Sequence, residues 1–248
     1  MPLIADFVKG KKIDILCLQE CKCSNSDFPY DEIKALGFNH VYYNGQKSYN
    51  GVAILSSVQL TQLESFNFCE KTEARHIACS FEDNITIHNF YIPAGGDEPD
   101  PQINEKFHYK LQYLDEMKNL FSRNSVEKTI MLGDFNIAPC ENDVWSHKQL
   151  LNVVSHTKVE SHKLLELMVS GGFNDVVRQF FPNEQLFSWW SYRAKDWEKS
   201  NRGRRLDHFW ASKDITKNFT SCSILKETRS WERPSDHVPV SAIYSLEK

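Results

Sequence analysis

Short apolar runs that stop on polar, reactive residues constrain this chain more than any other feature. Ile13–Leu18 (IDILCL) runs into Gln19-Glu20, and Ile85–Phe90 ends at Tyr91. Lys128–Leu132 runs into Gly133-Asp134-Phe135-Asn136, and Ser235-Asp236-His237 precedes the late run Val238–Tyr244. Short apolar runs bounded by turn-forming residues read as buried strands. Gly51–Leu55 (GVAIL) and Leu206–Ser212 (LDHFWAS) read the same way. Between them, Asn104–Leu120 carries Phe107, Leu111, Leu114, Met117 and Leu120 at the spacing of an amphipathic helix. Ser161–Ser170 predicts a short helix that stops at Gly171-Gly172. Many short strands with occasional helices predict sheets packed face to face with helices outside. Loops at strand ends, held by a rigid scaffold, are where sites tend to be built.

Composition limits the classes of protein this can be. A length of 248 residues suits one large domain or two small ones. No segment approaches the ~20 apolar residues of a membrane span. The opening MPLIADFVKGKK lacks a basic head followed by an apolar run, so no secretory leader is expected. Seven cysteines at irregular spacing predict free thiols in a reducing compartment, hence a cytoplasmic protein. Cys17, Cys21 and Cys23 lack a fourth ligand at a zinc-type spacing. A net charge of −4 argues against coating nucleic acid through bulk charge. A local basic surface is still open to it. Arg193–Arg205 (RAKDWEKSNRGRR) holds six basic residues and two acids, with Trp189, Trp190, Trp197 and Trp210 on and around it. Such a run is either a solvated loop or, with its aromatics, a surface for nucleotides.

The strand ends carry the chemistry. Glu20, directly after an apolar strand, is costly to bury unless it is paired or bound to a metal, and otherwise lies exposed in the following loop. Hard cations such as Mg²⁺ take one or two carboxylates together with waters and phosphate oxygens. Asp134 and Asn136 are two apart, so an extended segment points them to one side. There they can take a proton from water and hold it in line, or close an Asx-type turn. Gly133 permits a sharp bend beside them. Asp236 and His237 offer an acid–base or metal-binding couple, or a capped turn. Asp207 and His208 are adjacent strand residues facing opposite ways, so Asp207 is free to orient a histidine from elsewhere.

Taken in order, LQE (18–20), YIPAGG (91–96), GDFNIAP (133–139), RLDHFWAS (205–212) and PSDHVPV (234–240) resemble the exonuclease III family of abasic-site endonucleases. That family lies within the endonuclease/exonuclease/phosphatase superfamily, and the resemblance runs from about Ile4 to the end. YNGQKSYNGVAILS (43–56), YIPAGGDEPDP (91–101) and FSWWSYRAK (187–195) look like its DNA-repair branch. The resemblance implies an α/β fold, a four-layer αββα sandwich with two central, mostly antiparallel sheets, in one domain over residues 1–248. It implies Glu20 as the carboxylate for magnesium (Mg²⁺, with Mn²⁺ able to substitute), and Asp134, Asn136, Asp236 and His237 around the metal. Tyr91 lies near the scissile phosphate in this reading. Asp134 activates water with Asn136 as its partner, and His237, oriented by Asp207, stabilises charge on the phosphate. Trp189, Trp190 and Leu206 line a pocket for a flipped-out sugar, and Arg202 and Arg204 meet the DNA backbone.

The implied reaction is hydrolysis 5′ to abasic sites in double-stranded DNA, with 3′→5′ exonuclease activity and cleaning of blocked 3′ ends, by a monomer that needs no membrane. The sequence departs from the family pattern twice. A strand ending in a Trp-Asn-type motif is expected before Ile4, so the chain reads as lacking the usual first strand, through a misassigned start or a real shortening. Ala94 stands where relatives often carry Asn or Gln. Two other readings remain: a phosphodiesterase of the same superfamily acting on inositol phosphates, sphingomyelin or RNA, and a shortened form that binds DNA without cutting it.

Overall fold

The computed structural model describes residues 1–123, 126–194 and 196–246, in two units: Met1–Tyr91 with Thr129–Gly133, and Ile92–Lys128 with Asp134–Lys248. In the first unit, α1 (Pro2–Val8) begins on a proline, whose missing N–H costs nothing at a helix start. Strand β1 (Ile15–Leu18), helix α2 (Tyr30–Ala35), and strands β2 (His40–Asn44) and β3 (Val52–Ser56) follow. They form an antiparallel sheet in the order β1-β3-β2. Every residue of the central strand β3 is buried, which is why it reads as an unbroken apolar run rather than an alternating one. Ile33 of α2 packs beneath it with Phe28, Phe38 and Tyr43. A second antiparallel set joins β4 (Thr61–Gln62), β5 (His76–Phe81) and β6 (Ile85–Tyr91). Strand β7 (Thr129–Asp134), which belongs to this unit up to Gly133, lies beside β6.

The second unit is built on helix α3 (Glu105–Ser122), capped by the Asn104 side chain accepting from the Lys106 N–H. After it come α4 (His147–Leu150), α5 (Lys158–Ser170), β8 (Phe173–Asp175), α6 (Val176–Phe180), β9 (Trp189–Trp190), α7 (Trp197–Ser200), β10 (Gly203–Arg204), β11 (Asp207–Ser212), β12 (Phe219–Ile224) and β13 (Val240–Tyr244). The pairs β8/β11, β9/β10 and β12/β13 are all antiparallel. Helix α5 starts three residues before the expected Ser161, because Thr157 and Glu160 close a capping box that fixes its first turn. Strands β2 and β5 were not expected as strands at all. Among the described residues no helix is long and apolar enough to cross a membrane, and all seven cysteines are free thiols.

Gly133 is the most confined glycine of the first unit. Its φ is +128°, and a Cβ there would stand 2.0 Å from the carbonyl oxygen of Phe90. Backbone cannot yield as the tip of a flexible side chain does, so strain and overlap add. Gly133→Ala is therefore expected to destabilise the fold by about 3 kcal/mol or more, read as a lowered midpoint in urea unfolding. A midpoint within error of the parent would show that the site has room.

Candidate active site

Glu20 stands two residues past the end of β1, and its backbone is left-handed, with φ +55°. A non-glycine residue there needs its surroundings to hold it. The backbone supplies part of the hold: Cys21 N–H donates to the Gly51 carbonyl at 3.1 Å and Lys22 N–H to that of Asn50 at 2.9 Å. A buried amide supplies the rest. Asn89 of β6 donates from Nδ2 to the carbonyls of Leu18 (3.0 Å) and Ala53 (2.9 Å), and accepts from Gln19 Nε2 at 2.6 Å. The end of β1 is thereby pinned to β6. The Glu20 carboxylate accepts from the Tyr91 hydroxyl and pairs with Lys22 Nζ at 2.8 Å. Tyr91 is itself fixed: its N–H donates to Arg75 O at 2.8 Å, Arg75 Nη1 donates back to its carbonyl at 3.2 Å, and the guanidinium lies 5.1 Å from its ring centre. Glu73 pairs with Arg75 in turn.

The second constellation lies in the other unit. Asp134 is 4 % exposed, and its carboxylate accepts from Asn136 N–H (2.9 Å) and Asn136 Nδ2 (3.0 Å). Asn136, also left-handed at φ +54°, donates from Nδ2 to Ile92 O as well. His237 donates from Nδ1 to Asp207 Oδ2 at 2.8 Å, while Nε2 faces Asp134 Oδ2 at 3.8 Å. Both N–H groups of Leu206 and Asp207 reach the buried Ser188 Oγ at 3.0 Å, which sets the start of β11. Burial disfavours a charged His237 ring, but Asp207 and then Asp134 outweigh it and raise its pKa to about 10. At neutral pH the ring is an imidazolium lying between two carboxylates. His208, one residue along β11 and on the opposite side, is buried, stacks on Phe135 and donates to Ile137 O. Burial and then Arg205 bring its pKa down to about 4, so it stays neutral.

A family model of the endonuclease/exonuclease/phosphatase family matches residues 3–237. The chain belongs to that family. It is 29% identical to the exodeoxyribonuclease III of Haemophilus influenzae over 92% of this chain and 89% of that protein. Among solved structures it is similar to an AP endonuclease from Archaeoglobus fulgidus, with a TM-score of 0.90 and 30% identity over 98% of this chain and 93% of that one. It is similar too to a 3′ phosphatase from Neisseria bound to a product DNA hairpin, with a TM-score of 0.86 and 28% identity over 99% and 94% of the two chains. The expected exodeoxyribonuclease III-type AP endonuclease is what these matches support, and the α/β class with mostly antiparallel sheets holds.

Enzymes of this family are metal-dependent, and the donor set here fits a hard cation. Glu20 presents a half-exposed carboxylate, 43 % accessible, at a strand end. Asp134, Asp207 and His237 bring ligand atoms within 4.8 Å of one another. Within that trio His237 Nδ1 is engaged by Asp207, which leaves Nε2 as the ring nitrogen facing Asp134. Asp236, expected beside the metal, is not part of the trio: its Oδ2 accepts from Trp189 Nε1 at 3.0 Å.

Three expectations for the substrate surface need correction. Trp190 is 1 % exposed, packed with Phe187, Val238 and Trp197 and bonded to Asn201, so it belongs to the core and cannot face a sugar. Adjacent strand residues point to opposite faces, and its neighbour Trp189 takes the other one, where it lies under Arg204 and packs against the buried cluster that includes Leu206, itself 4 % exposed. Arg204 is no free surface cation: its Nη1 donates to Val154 O and to Ser155 Oγ. Arg205, counted in the basic run, is buried against Asp143 and Asp175. Arg202 alone of the three is exposed, over the Trp145 ring at 4.7 Å. Lys195 lies outside the described residues. Sequence reasoning missed Asn89, Arg75, Lys110 and Glu160. The signals were an amide inside the apolar run ITIHNFY, a lysine on the apolar face of α3, and the Thr157–Glu160 capping pattern.

The charge on His237 can be read directly. Its folded-state pKa lies above the ordinary 6.5, so the stabilisation it brings is complete below pH 6.5 and is lost as pH rises towards about 10. NMR titration of the metal-free protein should find this imidazolium intact at pH 8. In Asp207→Asn its midpoint should fall by about 1–3 units. An unchanged midpoint would remove Asp207 from the relay.

Proposed function

We propose that this chain hydrolyses the phosphodiester 5′ to abasic sites in double-stranded DNA and cleans blocked 3′ ends, acting as a cytoplasmic monomer in which residues 1–248 form one catalytic domain. The observation that carries this reading is the Asp134–Asn136 carboxylate–amide pair with the Asp207-held His237 imidazolium, in a chain whose family match runs from residue 3 to residue 237.

In this mechanism Asp134 takes the proton of the attacking water, and the Asn136 amide fixes the carboxylate and the water's line of approach. Water oxygen bonds to phosphorus, the bond to the 3′ oxygen breaks, that oxygen takes a proton from solvent, and the products are a 3′ hydroxyl and a 5′ deoxyribose phosphate. His237 stabilises the charge that develops on the phosphate, a role for an imidazolium rather than a general base. Glu20, steadied by Tyr91, would hold the cation, Mg²⁺ or Mn²⁺, which when bound supplies Lewis-acid polarisation of the phosphate and stabilises the leaving oxygen. An abasic nucleotide lacks pairing and stacking, so its extrusion is cheap and is itself a source of selectivity. Trp189, with Leu206 behind it, is the aromatic face that this reading assigns to the extruded sugar.

The test is single-turnover cleavage of an abasic duplex beside an inositol phosphate and an intact duplex. Cutting should occur at the abasic duplex, stop in excess chelator and return with Mg²⁺. Asp134→Asn, which keeps size and removes the base, should lower the chemical step about 10²–10⁴-fold. Turnover of the inositol phosphate with an uncut abasic duplex would overturn the substrate, and full cutting in chelator would overturn the metal.

The two arginines should separate in DNA binding. Arg202→Gln should flatten the salt dependence of affinity by about one unit, the loss of a single phosphate contact. Arg204→Gln should instead lower stability by about 1–2 kcal/mol through its lost bonds to Ser155 and Val154. Equal salt slopes for the two variants and the parent would return Arg202 to a solvated loop.

A further inference from the structure

Lys110 is a cation on the apolar face of α3, between Phe107 and Leu114, with no exposed surface. Its ammonium donates to Asn136 O at 2.8 Å and Ala94 O at 3.2 Å, and it forms an ion pair with Glu160 Oε2 at 2.6 Å. Glu160 is equally buried, and its other oxygen accepts from the N–H and the hydroxyl of Thr157, both at 3.0 Å, at the cap of α5. The path of the lysine is also reserved. Gly95 has φ +90°, and a Cβ there would lie 2.8 Å from Lys110 Cδ.

A buried ion pair is poor evidence for stability, since apolar residues of similar volume often serve as well. What this pair does that apolar residues cannot is hold two backbone carbonyls. One of them belongs to Asn136, whose left-handed peptide also donates its N–H to Asp134 Oδ1. Residue 136 is held through the peptide on each side of its Cα, by Lys110 at its carbonyl and by Asp134 at its N–H, and the Asn136 side chain has little freedom left. The same segment is braced by Ala138 N–H on Ser155 O at 2.7 Å and by His156 Nδ1 on Ala138 O at 2.5 Å. Burial works to lower the Lys110 pKa, and Glu160 opposes it.

We infer that Lys110, fixed by Glu160, is a positioning residue that holds Asn136 and Asp134 in the geometry needed to aim water. The inference rests on the reading of those two residues as the water-activating pair. It touches no substrate atom itself. A displacement of about 1 Å at a catalytic group can cost about 100-fold in rate, so the loss of this grip should appear in kcat.

The test uses the full chain with Mg²⁺, an abasic duplex, and three variants: Lys110→Met, Glu160→Gln and the double. Lys110→Met leaves a buried carboxylate unpaired and should unfold at a lower temperature. The double variant removes both charges and should regain most of that loss. A merely structural pair would then regain its activity as well. The positioning role requires instead that kcat of the double variant stay down about tenfold or more, with KM and DNA affinity within about threefold. It also requires amide hydrogen exchange at Asn136 to quicken about tenfold while Leu114 and Met117 in α3 keep the parent rate. Parent kcat in the stabilised double variant, or unchanged exchange at Asn136, would overturn the inference. If the parent protein does not cut the abasic duplex, the functional reading fails, and exchange at Asn136 decides the positioning question alone.

Discussion

A carboxylate buried at the end of a strand needs compensation on every side, and much of the second unit is arranged to give it to Asp134. Without partners such a group would be driven to take up a proton. Asn136 turns back in the left-handed region to offer both its N–H and its amide. His237 contributes a positive charge 3.8 Å away, kept positive by Asp207. The segment that makes the turn is then held from behind by Lys110 and by the Ser155–His156 backbone and side chain. Each partner serves the electrostatics of one acid, and together they fix the direction of its carboxylate.

The first unit solves a related problem in the same way. Glu20 and Asn136 both sit at φ near +55°, where a side chain with a Cβ is strained. Each is held by a polar side chain planted where the pattern calls for an apolar one: Asn89 within β6, Lys110 on the buried face of α3. Both act through main-chain carbonyls, Asn89 on Leu18 and Ala53, Lys110 on Ala94 and Asn136. A carbonyl is a good handle because gripping it fixes a peptide plane and therefore the direction of the side chains on either side. It also leaves the reactive groups themselves open for chemistry.

This division explains what could be read from the sequence. Glu20, Asp134 and His237 stand beside apolar runs, so their places at strand ends were legible, as were β1, β3, β6 and β7 within a residue or two. Strand β5 (HIACSF) was not, because its buried positions include His76, which becomes apolar enough only by bonding His88 at 2.9 Å and stacking on Phe66. Strand β2 (HVYYN) mixes polar and aromatic residues on a half-buried sheet and gives no clean period. The grips were illegible for a different reason. A lone Lys110 or Asn89 against the pattern looks like noise until its three partners, far along the chain, come to meet it.

Charge counting failed in one instructive place. The run from Arg193 to Arg205 looks like a basic surface, yet Arg205 is inside the protein, bonded to Asp143 at 2.5 Å and Asp175 at 2.8 Å. Asp143 also takes Arg178, and its pKa is held well below the usual carboxylate range: burial opposes that, and the two arginines more than offset it. Arg205 further donates its own N–H to the Asp143 carbonyl at 2.8 Å. The next two residues, Leu206 and Asp207, are fixed by Ser188. The main chain leading into Asp207 is therefore fixed by groups other than its carboxylate, which is left available for His237. In a basic run, the residue that matters most to the histidine can thus be the one whose charge never reaches the surface.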